Sequence, residues 1–447
     1  MIRARAVIAT AFAAASACAL GLPATASAAP PSRLSSVHHL VLMTQGGRSF
    51  DNLLGARSGV DGIPANGCQI RSTLAQPACV RPQAIRASTA RIPLRTTALA
   101  QRQSVHRGGM NGFVVAQKTR RSDGAAAMGY YRPSSVPLLG DIASRGVVFD
   151  HWFSGVPGGT VANRLFGITA VPPGDPQAIP VHGWADDQVI FDRLSAAGVS
   201  WRIYVQNYEP ALTIATAATK QRLGGQVVRV PILAMHRYTS NPALMSHVVD
   251  LKQYYKDLAT NRLPAVSYVV STSSTEQAPR SPTKGQKLTR AVLNALLASE
   301  AWSNSAFLLQ YDSSGGWYDH VQPPRLDGAT VGLRVPAILV SPFADAGTVD
   351  HDTYDAASAL KLVEATFGLP SLASRDRDAA NPAKVLTVAG APRQASLVGV
   401  PNDRNVIQPV RATLYLGYGA ALFAAVAIAA SVYLLARRDA RAQGRPA

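Results

Sequence analysis

Apolar positions along this chain fall into two patterns. Short unbroken runs stop at turn residues: His38–Met43 (HHLVLM), Val147–Phe153, Trp201–Val205, Ala265–Val270, Ala306–Gln310 and Arg334–Val340. Runs of this kind read as buried strands. Between them lie segments with helical spacing: Asp186–Ala197, Ser246–Leu258, Gln286–Ser299, and Ala356–Phe367, which ends near Gly368 and Pro370. A further helix is expected from Ala162 onward, after the Gly-rich turn Gly155–Thr160. Strand and helix in alternation predict an α/β domain, a mostly parallel sheet with helices on both faces. The segment Asp51–Gly129 is more irregular and reads as long loops over the sheet's carboxyl end.

The two ends carry addresses. Arg3 and Arg5 precede the apolar run Ala6–Leu20, and Ala26-Ser27-Ala28 is a small-residue cleavage site, so residues 1–28 read as a secretory signal peptide. Leu414–Ala436 is 23 residues without a charge, followed by Arg437, Arg438, Arg441 and Arg445. That length crosses a bilayer, and the arginines place the tail, 437–447, on the cytoplasmic side. The expected product is a single-pass protein of the cell membrane: an outer domain over residues 29–389, a linker over 390–413 and a C-terminal transmembrane helix. The formal charge is +18, which suits contact with anionic lipid or envelope polymers. Nucleic acid is excluded as the partner, because no basic stripe with interleaved aromatics occurs. Once the leader is removed only Cys68 and Cys79 remain, and in an exported loop they are expected to form a disulfide.

Candidate chemistry gathers where strands end, because ligands of open α/β sheets bind beyond the carboxyl ends of the strands. The run ending at Gln310 is followed by Tyr311-Asp312, then Ser313-Ser314-Gly315-Gly316, then Asp319 and His320. Thr160 stands between a Gly-rich turn and a helix, where a hydroxyl serves either as nucleophile or as N-cap. Asn163 and Arg164 follow it as phosphate-binding candidates, with His320 as a third. His351 lies beyond the strand Arg334–Val340 on the same side. Taken alone, each has a bland alternative: Asp312 a turn cap, His351 a satisfied surface histidine.

The longer motifs resemble those of the bacterial phosphoesterase family that contains nonspecific phospholipases C and an acid phosphatase. HHLVLMTQGGRSFDNLLG resembles that family's opening strand and ENRSFD motif, and AMGYY and VPGGTVANRLFGIT its GYY and G-P-T-x-x-N-R segments. YDSSGGWYDHVQPP resembles YDExGGxYDHVxPP, and the block from Arg334 to Asp376 matches almost throughout. The resemblance implies an alkaline-phosphatase-like fold and metal-dependent attack by a hydroxyl on phosphorus. Thr160 would be the nucleophile, Asp312 a metal ligand, with Asp319 as a weaker candidate, and His351 a group that binds the phosphate or assists departure. The implied cofactor is a divalent metal, and the implied partner a phosphate ester or phospholipid headgroup.

The metal shell nevertheless departs from the pattern. The family's Glu-Asn pair falls on Gly46-Gly47, its next acidic residue on Ser313, a nearby His on Ser314 and a further His on Gln277. One carboxylate and one hydroxyl cannot hold a hard cation tightly. His38, His39, His106 and Asp319 are the substitutes available to a relocated site. Three readings stand: a working phosphoesterase, a catalytically silent relative that binds a phosphorylated ligand, and a surface scaffold for protein partners.

Overall fold

A computed structural model describes residues 34–70, 79–86, 93–174, 177–219, 225–277, 280–387 and 391–399. An eight-stranded sheet runs through it, with strands β1 His39–Gln45, β2 Val147–Phe149, β3 Trp201–Val205, β4 Val248–Asp250, β5 Val266–Val270, β6 Ser305–Tyr311, β7 Ala337–Val340 and β8 Thr348–Asp350. The spatial order is β8-β2-β7-β6-β1-β5-β3-β4. β1 pairs in parallel with β5 and β6 (Leu40 opposite Val266, His39 opposite Ser305). β7 alone runs against its neighbours, antiparallel to both β6 and β2. All seven residues of β6 are buried. Side chains alternate between the faces of a strand, so a fully buried strand means that both faces of the sheet are covered.

Helices α1 Phe50–Leu53, α2 Thr160–Thr169, α3 Ile190–Ala196, α4 Lys252–Ala259, α5 Thr283–Leu297 and α6 Ala356–Phe367 lie between strands or flank them. α6 begins at Asp355, whose carboxylate accepts from the Ala357 N–H at 3.0 Å, and ends at Gly368 with φ +65°. A left-handed C-cap of this kind favours glycine.

Several expectations are corrected. Ser246–Leu258 is not one helix: Val248–Asp250 is the edge strand β4, and α4 starts at Lys252. Val147–Phe153 breaks after Phe149, and Trp152–Phe153 pairs with Tyr354–Asp355 in a separate ribbon. The loops of Asp51–Gly129 contain helices at Ala98–Val105 and Phe113–Gln117. Within the expected linker, residues 391–399 dock on the domain: Val398 is buried and exchanges hydrogen bonds with Asn294 at 2.8 and 3.0 Å. Cys68 and Cys79 are disulfide-bonded, closing the small pair of strands Gln69–Ile70 and Cys79–Val80. No helix among the described residues is long and apolar enough to cross a membrane; the expected leader (1–28) and membrane segment (414–436) lie outside them.

Candidate active site

The carboxyl ends of β1 and β6 lie side by side, and the Asp312 N–H extends the ladder by donating to the Gln45 carbonyl at 2.9 Å. This fixes the Asp312 carboxylate over the middle of the sheet. Thr160 opens α2, and Gly159 is the N-cap, so the threonine hydroxyl is not used as a cap. It donates instead to Asp312 Oδ1 at 3.3 Å, and Ser313 Oγ donates to the same oxygen at 2.7 Å. One turn into α2, Arg164 Nε donates to Asp312 Oδ2 at 2.9 Å, in an ion pair that is almost fully buried. Its Nη2 also donates to the Thr44 carbonyl at 2.7 Å. The guanidinium is thereby held between the helix and two strand ends.

Asn163 has a different task from the one expected. Its Oδ1 accepts from the Val156 N–H at 3.0 Å, and its Nδ2 donates to the Val156 and Gly159 carbonyls, each at 3.1 Å. The amide clamps the Gly-rich loop that presents Thr160, so it holds the loop and not the ligand.

The residues present do not fit a divalent metal at Asp312. Both carboxylate oxygens already have partners, one of them a cation, and hard divalent ions want six or so oxygen ligands. Gly46 and Gly47 offer no side chain. The space beside them is closed as well: a Cβ at Gly46 would stand 2.9 Å from Asp312 Oδ2, and one at Gly47 would stand 2.6 Å from Gln277 Cγ.

Thr160 borders a cavity of about 230 Å³, shared with Thr96, Gly159, Arg229 and Gln277. Arg229 was not distinguished in the sequence from the chain's many other basic residues. Its Nη2 donates to Gln277 Oε1 at 2.9 Å and its Nη1 to the Gly225 carbonyl at 3.2 Å. Burial, then the charges of Arg164 and Arg280, bring its pKa down to about 10, partly offset by Asp312. It stays cationic at neutral pH. The arrangement offers a hydroxyl and a guanidinium to one cavity, which is a setting for an anionic phosphate group.

The histidines belong to a second cluster. His320 Nδ1 meets Asp51 Oδ2 at 2.8 Å and its Nε2 meets Asp61 Oδ1 at 3.0 Å. Arg334, fully buried, pairs with Asp51 at 2.9 Å and with Asp319 at 3.0 Å. His351 Nδ1 meets Asp150 Oδ2 at 2.9 Å, and His151 bridges the His351 carbonyl and Asp61. Burial lowers the His320 pKa, but the bond to Asp51 and the charges of Asp51 and Asp319 outweigh it, and the net shift is upward. Burial pushes the Asp319 carboxyl up to about 7 despite Arg334.

Asp51, Asp319 and His320 bring ligand atoms within 4.8 Å of one another, the one such group among the described residues. The Arg334 guanidinium already supplies positive charge to both carboxylates. β2 and β8 lie two and three strands from β6, roughly 10 and 14 Å at the usual strand spacing. The structure thus unites Thr160, Asp312 and Arg164, and assigns His320, His351 and Asp319 to a neighbouring network with Asp51, Asp61, Asp150 and Arg334. Sequence reasoning missed those partners. The one available signal was RSFD, whose Asp51 is central to the cluster.

The sequence model of the Phosphoesterase family matches residues 37–370, and the chain belongs to that family. It is 28% identical over 320 residues to "Non-specific phospholipase C6" of Arabidopsis thaliana, covering 63% of this chain and 56% of that protein. It is 27% identical over 398 residues to "Phospholipase C A" of Mycobacterium tuberculosis, covering 76% and 74%. With "Hemolytic phospholipase C" of Pseudomonas aeruginosa the identity is 28% over 393 residues, covering 75% and 53%. The chain therefore spans little more than half the length of the plant and Pseudomonas relatives. Among solved structures it is similar to the lipoteichoic acid synthase LtaP from Listeria monocytogenes (TM-score 0.40, 8% identity, 78% of this chain and 76% of that one). It is also similar to a protein in the alkaline phosphatase superfamily from Vibrio parahaemolyticus (TM-score 0.35, 13% identity, 54% and 63%).

Proposed function

We propose that this chain is a phosphoester hydrolase of the phospholipase C type, acting through Thr160 on a phosphate ester such as a phospholipid headgroup. The observation that carries the reading is the Thr160 hydroxyl, hydrogen-bonded to Asp312 and bordering a cavity it shares with Arg229. In the first step the Thr160 oxygen bonds to phosphorus and its proton passes to Asp312 Oδ1, while the P–O bond to the alcohol breaks. The departing oxygen takes a proton from water. A second water then attacks phosphorus and the bond to the Thr160 oxygen breaks. That oxygen takes back the proton held by Asp312, the proton lost by the attacking water neutralises the hydroxide left in the first step, and the phosphate product leaves. A neutral hydroxyl needs such help to lose its proton. The phospholipase C relatives support the class of substrate.

The test is hydrolysis of a chromogenic phosphodiester and monoester by the purified chain, beside Thr160→Ala. Turnover should fall to background in the variant, and turnover that survives it refutes the nucleophile. A second reading, a silent relative that binds a phosphorylated ligand, is favoured by the Arg164–Asp312 pair, which already engages the carboxylate that would have to take the Thr160 proton. It predicts phosphate binding with no Thr160-dependent turnover. Membrane attachment through 414–436 rests on the sequence alone. Alkaline carbonate should leave the full chain in the membrane pellet and release a chain ending at residue 413. Release of both would remove the anchor.

A further inference from the structure

We infer that the Thr160 pocket is an anion site that works without a divalent cation, with Arg164 neutralising Asp312 and Arg229 facing the phosphate. This rests on the Thr160 pocket being the ligand site, as proposed above, and deepens that reading. A metal at the end of β6 would have two tasks: to neutralise the aspartate and to attract the phosphate. The first is done by Arg164, at 2.9 Å and nearly out of solvent. The geometry is fixed from outside the pair, because Arg164 Nη2 is tied to the Thr44 carbonyl. The remaining carboxylate oxygen takes two hydroxyls, from Thr160 and Ser313.

The second task falls to Arg229. It lies in the electrostatic reach of Arg164, Arg280 and Asp312, and it is the charged side chain among the residues that line the cavity with Thr160. Arg229 Nε is buried and makes no hydrogen bond with the protein. The position where the family resemblance expects a histidine is Gln277, and its amide oxygen receives Arg229 Nη2 at 2.9 Å. Gly46, Gly47 and Ser313 remove cation donors, and Gln277 orients a fixed cation at the same cavity. A divalent ion arriving here would meet like charge and an already satisfied carboxylate, whereas a phosphate would meet unneutralised guanidinium.

The experiment uses the full chain, stripped with EDTA and then exposed separately to magnesium, calcium, manganese or zinc. Retained metal is counted by mass spectrometry after gel filtration. The melting temperature is followed against inorganic phosphate and glycerophosphocholine, side by side, to separate free phosphate from a headgroup. The expected result is no stoichiometric metal, and a ligand-induced rise in melting temperature that is equal in EDTA and in metal. Arg229→Gln should weaken phosphate binding about tenfold or more, since it removes a charge-assisted hydrogen bond. Stoichiometric metal that disappears in Asp312→Asn, or a phosphate response that requires metal, overturns the inference while leaving Thr160-dependent hydrolysis standing. A phosphate response unchanged by Arg229→Gln overturns it as well. No response to either ligand under any condition, together with no turnover, overturns the pocket reading itself.

Discussion

Asn163 illustrates how a motif residue acts through the backbone it holds. Every polar atom of its amide is engaged by the loop preceding α2, with one bond accepted from Val156 and two donated to Val156 and Gly159. Asn163→Ala leaves the buried Val156 N–H without its acceptor, and an unpaired buried donor costs about 1–3 kcal/mol. Denaturant unfolding of the variant should show that loss. The loop also sets where Thr160 stands, so phosphate affinity should fall with it. Unchanged stability would mean that the loop is held by something other than this side chain. Gly315 shows the same dependence on backbone: at φ +65° its Cβ would lie 2.0 Å from the Gly47 carbonyl oxygen. Two glycines on neighbouring strand ends are thus packed on each other, which the bare sequence SSGG does not disclose.

At the scale of elements, legibility followed burial. β3 and α6 have the bounds expected from their patterns, Trp201–Val205 and Ala356–Phe367, and β1 and β6 differ only by a few residues at their ends. Unbroken apolar runs and a helix bracketed by Asp355 and Gly368 are signals the chain itself carries. β4 and β8 were not legible. Val248–Asp250 merges into the helical pattern that follows it, and Thr348–Asp350 is a partly exposed edge with a single apolar residue. The reversed direction of β7 was hidden for another reason. Ala337–Val340 is buried throughout, and such a run reads the same whichever way it points. This explains the fate of the site as well. Strand ends revealed which edge of the sheet carries the chemistry, and Thr160, Asp312 and Arg164 do meet there. They did not reveal strand order, which sets His351, after β8, apart from Asp312, after β6. His320 also follows β6, but its ring is bonded to Asp51 and Asp61. Arg229 and Arg334 were obscured by composition, two arginines in a chain of 44 Lys and Arg.

At the scale of the whole molecule, Glu276 couples the elements around the site. Its backbone carbonyl accepts from Arg48 Nε at 2.7 Å, and its fully buried carboxyl faces Tyr311 at the end of β6 and Gln286 of α5. Burial is the main cause that brings this carboxyl up to about 7, against the opposing influence of Tyr311, Arg48 and Gln286. An unfolded glutamate titrates near 4.3. Between those values the folded chain holds a proton that the unfolded chain has lost, so stability falls as pH rises through that window. The loss is complete above about pH 7 and is on the order of 3 kcal/mol. Asp355, raised to about 6 by burial despite Arg375, acts in the same direction. So does His320: its raised pKa gives stability that is present below the unfolded value near 6.5 and is lost as pH rises through the folded one. Acid works the other way, because protonating 26 Asp and Glu adds to a charge that is already +18. Stability should therefore peak on the mildly acidic side of neutrality. Glu276→Gln removes the titration and keeps the shape. Its melting temperature should match the native chain near pH 5 and exceed it at pH 8. Two parallel profiles across that range would show that Glu276 is already ionised in the fold, and that the cluster around Arg48 solvates it better than its burial implies.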